Sequence, residues 1–170
     1  MKARFSVWPL ACVILVTAHA SSDGEQTTQW GVIAHGFQMA LEFEKPHYTP
    51  DAPIVATVCL KNISPEIRYA RESYPEADFE ISIIDSQGKT PEFTADWKRK
   101  KHEPLSLYRN FLRKLSPGEA VQHQLILTKM YRLDAPEIYR VIVRRTVLDP
   151  TKKEAGEVES NPVEVIVKPP

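Results

Sequence analysis

Glycine is scarce here, with six in 170 residues against fourteen prolines. That imbalance points to short segments joined by stiff connections. Two cysteines are too few for a disulfide-dense mini-protein. Charge of one sign is missing too. Twenty-two basic residues balance twenty-two acidic ones, which argues against a protein built to coat nucleic acid or an acidic membrane. Beyond the first twenty residues no apolar run approaches the ~20 residues of a membrane-spanning helix. The chain also lacks G-x-S-x-G, P-loop, G-x-G-x-x-G and H-E-x-x-H motifs. What is present suits one packed domain: 42% of residues are hydrophobic, enough to form a core.

The first twenty residues read as an address. Met1-Lys2-Ala3-Arg4 is basic, Phe5–Val16 is mostly apolar, and Ala18-His19-Ala20 is a small-residue cleavage pattern before polar Ser21–Glu25. This predicts a secretory signal peptide over 1–20 and a secreted or periplasmic protein without a membrane span. An uncleaved anchor fits less well, because the run is short and broken by Pro9. Cleavage removes Lys2, Arg4 and Cys12, leaving 150 residues, a formal charge of −2 and Cys59 as the sole cysteine. An intrachain disulfide is then impossible. Cys59, set in Val58-Cys59-Leu60, reads as a buried strand residue.

Apolar residues in the rest of the chain recur mostly every second position, the period of a half-buried strand. Phe37, Met39, Leu41 and Phe43 share one face, as do Ile54, Ala56, Val58 and Leu60. Phe79, Ile81 and Ile83 follow, then Val121, His123, Leu125 and Leu127, then Tyr139, Val141 and Val143, and last Val163, Val165 and Val167. Thr90–Thr94 reads as a short return strand. Lys45–Pro53, Ser64–Ala77, Ala95–Pro104 and Asp149–Gly156 read as bends or loops. Leu105–Leu115 is ambiguous between a short helix and an irregular strand, since Tyr108, Phe111, Leu112 and Leu115 fall at helical spacing before a Ser-Pro-Gly-Glu turn. The expectation is an all-β antiparallel sandwich of about seven strands over 37–170, after an N-terminal extension at 21–36.

Two stretches carry a resemblance. One runs from Phe37 through Lys45-Pro46-His47-Tyr48 to Leu60-Lys61-Asn62-Ile63-Ser64. The other holds Leu115-Ser116-Pro117-Gly118-Glu119, Tyr131-Arg132-Leu133, Pro136, Tyr139-Arg140-Val141-Ile142-Val143 and Ser160-Asn161-Pro162-Val163-Glu164-Val165. Together they resemble bacterial secreted immunoglobulin-like domains, and are similar to the intracellular proteinase inhibitor family and to macroglobulin-like domains. The resemblance implies a sandwich and protein binding; it identifies no inhibitory loop residue. Beside it, Tyr139 at the start of a late strand has the position of a tyrosine whose hydroxyl returns to nearby backbone.

Chemistry-bearing residues are dispersed. His35, His47, His102 and His123 have no metal-ligand spacing, so no metal or cofactor is expected. A mid-strand Cys59 lacks the electropositive surroundings of a catalytic thiol. Asn62-Ile63-Ser64 matches a glycosylation acceptor, relevant only in a eukaryotic host. The strongest charge feature is Lys98-Arg99-Lys100-Lys101-His102 after Trp97, a candidate contact for an anionic ligand with an indole beside it. The expected function is therefore an exported, non-catalytic module that binds another exported protein or plays a structural role. Two alternatives stay open. One is a protease inhibitor using Lys61–Ala77, Ala95–Pro104 or Asp149–Gly156. The other is an anion- or acidic-polysaccharide-binding module using Trp97–His102.

Overall fold

The structure, a computed structural model, describes residues 28–100, 111–149 and 154–169. The expected signal peptide, Lys101, His102 and 105–110 lie outside them. The described residues form strands β1 (Phe37–Phe43), β2 (His47–Tyr48), β3 (Val55–Asn62), β4 (Arg68–Glu72), β5 (Glu80–Ile84), β6 (Phe111–Leu115), β7 (Ala120–Ile126), β8 (Ile138–Asp149), β9 (Glu154–Glu159) and β10 (Val163–Val167). Three single-turn helices join them: α1 (Pro75–Asp78), α2 (Ala95–Lys100) and α3 (Leu127–Met130).

The strands make two sheets. One has the order β1-β3-β7; the other has β2-β10-β8-β4-β6, with β5 and β9 also paired to β8. All pairings between strands are antiparallel except β2 with β10. The ten segments are seven arms. β4 and β5 both pair with β8, at Tyr69↔Leu148 and then Glu80↔Arg144 onward, with α1 looped out between them. β9 and β10 likewise run along β8, interrupted at Ser160-Asn161-Pro162. The arm holding β1 and β2 changes sheets at Pro46, where a missing N–H breaks the ladder. This is an immunoglobulin-like all-β sandwich.

The core lies between the sheets. Met39, Val58, Leu60 and Leu125 face Ile83, Val141, Val143, Val158 and Val165, and all are buried. Each such side chain contributes about 1.5–3 kcal/mol by leaving water. β3 alternates half-buried and buried residues along its whole length, as its period of two requires.

Residues that carry the resemblance serve the frame. The Ser160 hydroxyl accepts from the Val143 N–H at 3.0 Å. Asn161 is buried and acts as a substitute strand: its Oδ1 accepts from the Leu41 N–H at 2.8 Å, and its Nδ2 donates to the Leu41 carbonyl at 3.3 Å. The Tyr139 hydroxyl returns to the Ala135 carbonyl at 3.3 Å. Pro117-Gly118 makes the turn before β7, with Gly118 at a φ of +79° that favours glycine.

Several local expectations change. Ser64–Ala77 is not a loop throughout, since it contains β4 and α1. Its alternation was hidden because Ala70 is the small apolar residue at the centre of a charged strand. Ala95–Lys100 is helical rather than loop. Thr94 caps it by accepting the Trp97 N–H at 3.2 Å, as a threonine at a helix start does. Thr90–Thr94 gives one bridge, Phe93 to Tyr131, rather than a strand. Residues 111–115 are strand β6. The hairpin expected at Asp149–Gly156 is tighter, because β8 continues to Asp149 and β9 starts at Glu154. Part of the N-terminal extension is attached to the sandwich: Trp30 bridges Ala40, and the Gly31 N–H donates to the Met39 carbonyl at 2.8 Å.

Candidate functional site

The cationic run starts on α2, and the structure spends much of its charge locally. Arg99 pairs with Asp96 at 3.0 Å and Lys98 approaches Glu92 at 4.0 Å. Lys100 Nζ lies 4.6 Å from the centre of the Tyr74 ring and 5.6 Å from that of Trp97, so both aromatics hold it. A cleft of about 410 Å³ opens here, lined by Glu76, Thr94, Trp97, Lys100 and Met130. A second hollow of about 410 Å³ shares Trp97, Lys100 and Met130 and continues over Phe93 and Tyr131. Trp97 and Lys98–Lys100 are thus brought together on one helical turn.

A second cluster joins the two sheets. His123 on β7 points across to Glu72 on β4 and Arg145 on β8. Its Nε2 lies 3.5 Å from Glu72 Oε1 and 3.5 Å from Arg145 Nη1. One nitrogen cannot accept from arginine and donate to glutamate together. Arg145 is a permanent donor, which assigns a neutral His123 protonated at Nδ1. Burial, helped by the Arg145 charge, holds the His123 pKa below its ordinary 6.5. Arg145 is 2% exposed. It donates to the Arg71 carbonyl, lies 3.9 Å from Asp78 Oδ2, and stacks 4.8 Å from the Phe79 ring centre. Burial pulls its pKa down, and Asp78 and Glu72 oppose that. Ser73 fixes Asp78 through its N–H at 2.8 Å and its hydroxyl at 2.6 Å. Arg113 reaches Glu72 at 3.5 Å. Two carboxylates and two guanidiniums therefore balance, and every buried side-chain polar atom among the described residues has a partner. The cluster is a clamp between sheets.

The third feature is β6. It ends its sheet, paired with β4 from Phe111↔Glu72 to Leu115↔Arg68. Phe111 is 55% exposed and Leu112 56%. Large apolar side chains on a terminal strand mark a surface that another chain can use.

The comparisons add little beyond this geometry. No family model matches the chain, and no curated protein does. Among solved structures it is similar to the crystal structure of Bacteroides uniformis beta-glucuronidase, at 12% identity and a TM-score of 0.39. That alignment covers 76% of this chain but 13% of the enzyme chain. The chain spans far less than the enzyme's length, and at that likeness none of the enzyme's chemistry transfers.

The remaining candidates separate. His35 rests against Gly156, His47 is exposed on β2, and His123 is in the clamp. Among the described residues no group of three His, Cys, Asp or Glu is placed to hold a metal ion. Cys59 is half-buried, beside Ala40 and Gln122, on the face of β3 away from the core, and burial raises its thiol pKa. Asn62 of the acceptor motif is buried, with Nδ2 donating to the carbonyls of Glu66 at 2.7 Å and Leu115 at 3.0 Å. It is a corner post, closed to modification in the folded chain. Sequence reasoning missed Glu72, Asp78 and Arg145. The one signal available was His123 on the core-facing side of its strand, which requires a polar partner opposite.

Proposed function

We propose that this chain is an exported, non-catalytic immunoglobulin-like module that binds another protein, with β6 as its contact edge. The carrying observation is a terminal strand that exposes two large apolar residues, Phe111 and Leu112, one on each of its faces. An added strand there would gain backbone hydrogen bonds and bury both side chains. The test is capture from the exporting compartment with the mature chain and with a Phe111→Ser/Leu112→Ser variant. The expected result is one dominant partner, lost in the variant at unchanged thermal stability. No specific partner, or a partner that the variant retains, would overturn the reading.

A second reading keeps Trp97–Lys100 as an anion contact. It is favoured by the exposure of the Lys98 and Arg99 ion pairs. Such pairs are worth little and yield readily to a multivalent anion. Charge reversal at Lys98–Lys100 should abolish retention on an acidic polysaccharide column, and undiminished retention removes this reading. Of the loops the inhibitor reading would use, Lys61–Ala77 holds β4 and the start of α1, and Ala95–Pro104 begins as α2.

A further inference from the structure

The strand orders β1-β3-β7 and β2-β10-β8-β4-β6 have four ends, beside the outer sides of β5 and β9, which pair with β8 alone; at such an end an exposed edge invites pairing unless it is blunted. Among the described residues three of the four ends are blunted. Along β1, Trp30, Gly31 and Asn161 take up the outer edge from Met39 to Leu41. β2 is two residues long and sits between Pro46 and Pro50. β7 has α1 packed against it. Among the described residues β6 has no strand beyond it.

The two faces of β6 differ. Phe111, Arg113 and Leu115 share the inner side with Glu72 and Ala70, and Arg113 is engaged with Glu72. Leu112 and Lys114 share the outer side with their register partners Arg71 and Tyr69. Arg71 and Lys114 are exposed, and among the described residues neither has a carboxylate within ion-pair distance. The edge thus offers an apolar start and an outer face with two uncompensated cations. A second copy of the chain is a poor occupant. Antiparallel pairing of the whole strand would set Arg113 against its own copy and Lys114 beside it, and like charges opposite one another destabilise a ladder.

We propose that β6 accepts, as an added strand, an extended acidic segment of a partner protein. Its apolar residues, on the inner side, would cover Phe111, and its carboxylates, on the outer side, would flank Leu112 and face Lys114 and Arg71. The inference rests on the binding-module reading and names the chemistry of its partner.

The experiment uses the mature chain and a fluorescent peptide of alternating valine and glutamate. Two controls accompany it: the same peptide with lysine for glutamate, and polyglutamate of equal length. The valine–glutamate peptide should bind and shield the amides of Phe111–Leu115 from hydrogen exchange. It should weaken about tenfold in Arg71→Glu/Lys114→Glu and weaken with salt, while neither control binds comparably. Equal binding of the lysine peptide or of polyglutamate overturns the proposal, as does indifference to charge reversal. Absence of peptide binding overturns it as well. In that case, capture of a partner lost in Phe111→Ser/Leu112→Ser leaves the binding module standing with a different partner chemistry. Absence of both removes both.

Discussion

At the residue scale, buried polar side chains decide how the sheets meet. Asn161 satisfies both backbone groups of Leu41 from the opposite sheet. Asn161→Ala leaves them unpaired, and should cost about 2–3 kcal/mol in urea unfolding. His123 was legible as a core-facing histidine; its partners were not, because Glu72, Asp78 and Arg145 come from segments distant in sequence. Arg145→Met leaves the buried Asp78 carboxylate without its ion-pair partner, and should cost about 3–5 kcal/mol. The clamp also sets a pH dependence. His123 titrates below 6.5 when folded, so the unfolded chain binds its proton more readily. The stability it contributes is full above pH 6.5 and is lost as pH falls through the folded pKa. His123→Gln should flatten the fall in urea midpoint below pH 6.5; an unchanged slope would show that His123 does not drive it.

At the element scale, legibility followed the hydrophobic period. β1, β3, β5, β7, β8 and β10 were readable because large apolar residues alternate in them. β4, β6 and β9 were not, since their inner faces hold Ala70, Arg113 and Gly156, and pairing rather than composition makes them strands. The Thr94 cap was a readable start for α2, masked by the charge that follows it. Gly31 shows how closely the N-terminal segment lies against the sandwich. A Cβ there would collide with the backbone of Glu159 and Ser160. Gly31→Ala should therefore lift the segment from β1 and expose Trp30. In a Trp97→Phe background, the fluorescence of the mature chain reports Trp30 alone. A red shift in emission with a loss of about 1–3 kcal/mol is expected; unchanged emission would mean the backbone gives way instead.

At the scale of the whole molecule, about seven strands were expected; ten segments are found, which group into seven arms broken by a proline, a looped-out helical turn and a Ser-Asn-Pro kink. The motifs that carry the resemblance hold corners and junctions, so they mark the fold and are silent on the ligand. The candidate site was half legible. Trp97–Lys100 stood out as charge in sequence, and folding turned that charge onto neighbouring acids and rings. The β6 edge was invisible, because openness belongs to a sheet and not to a string of residues. Its use is tested most directly by a photocrosslinking amino acid placed at Leu112 of the full chain in its host, with Gln122 on β7 as the control position. The account predicts an adduct with a distinct protein from position 112 and none from 122. Equal crosslinking from both positions, or none from 112, would contradict it.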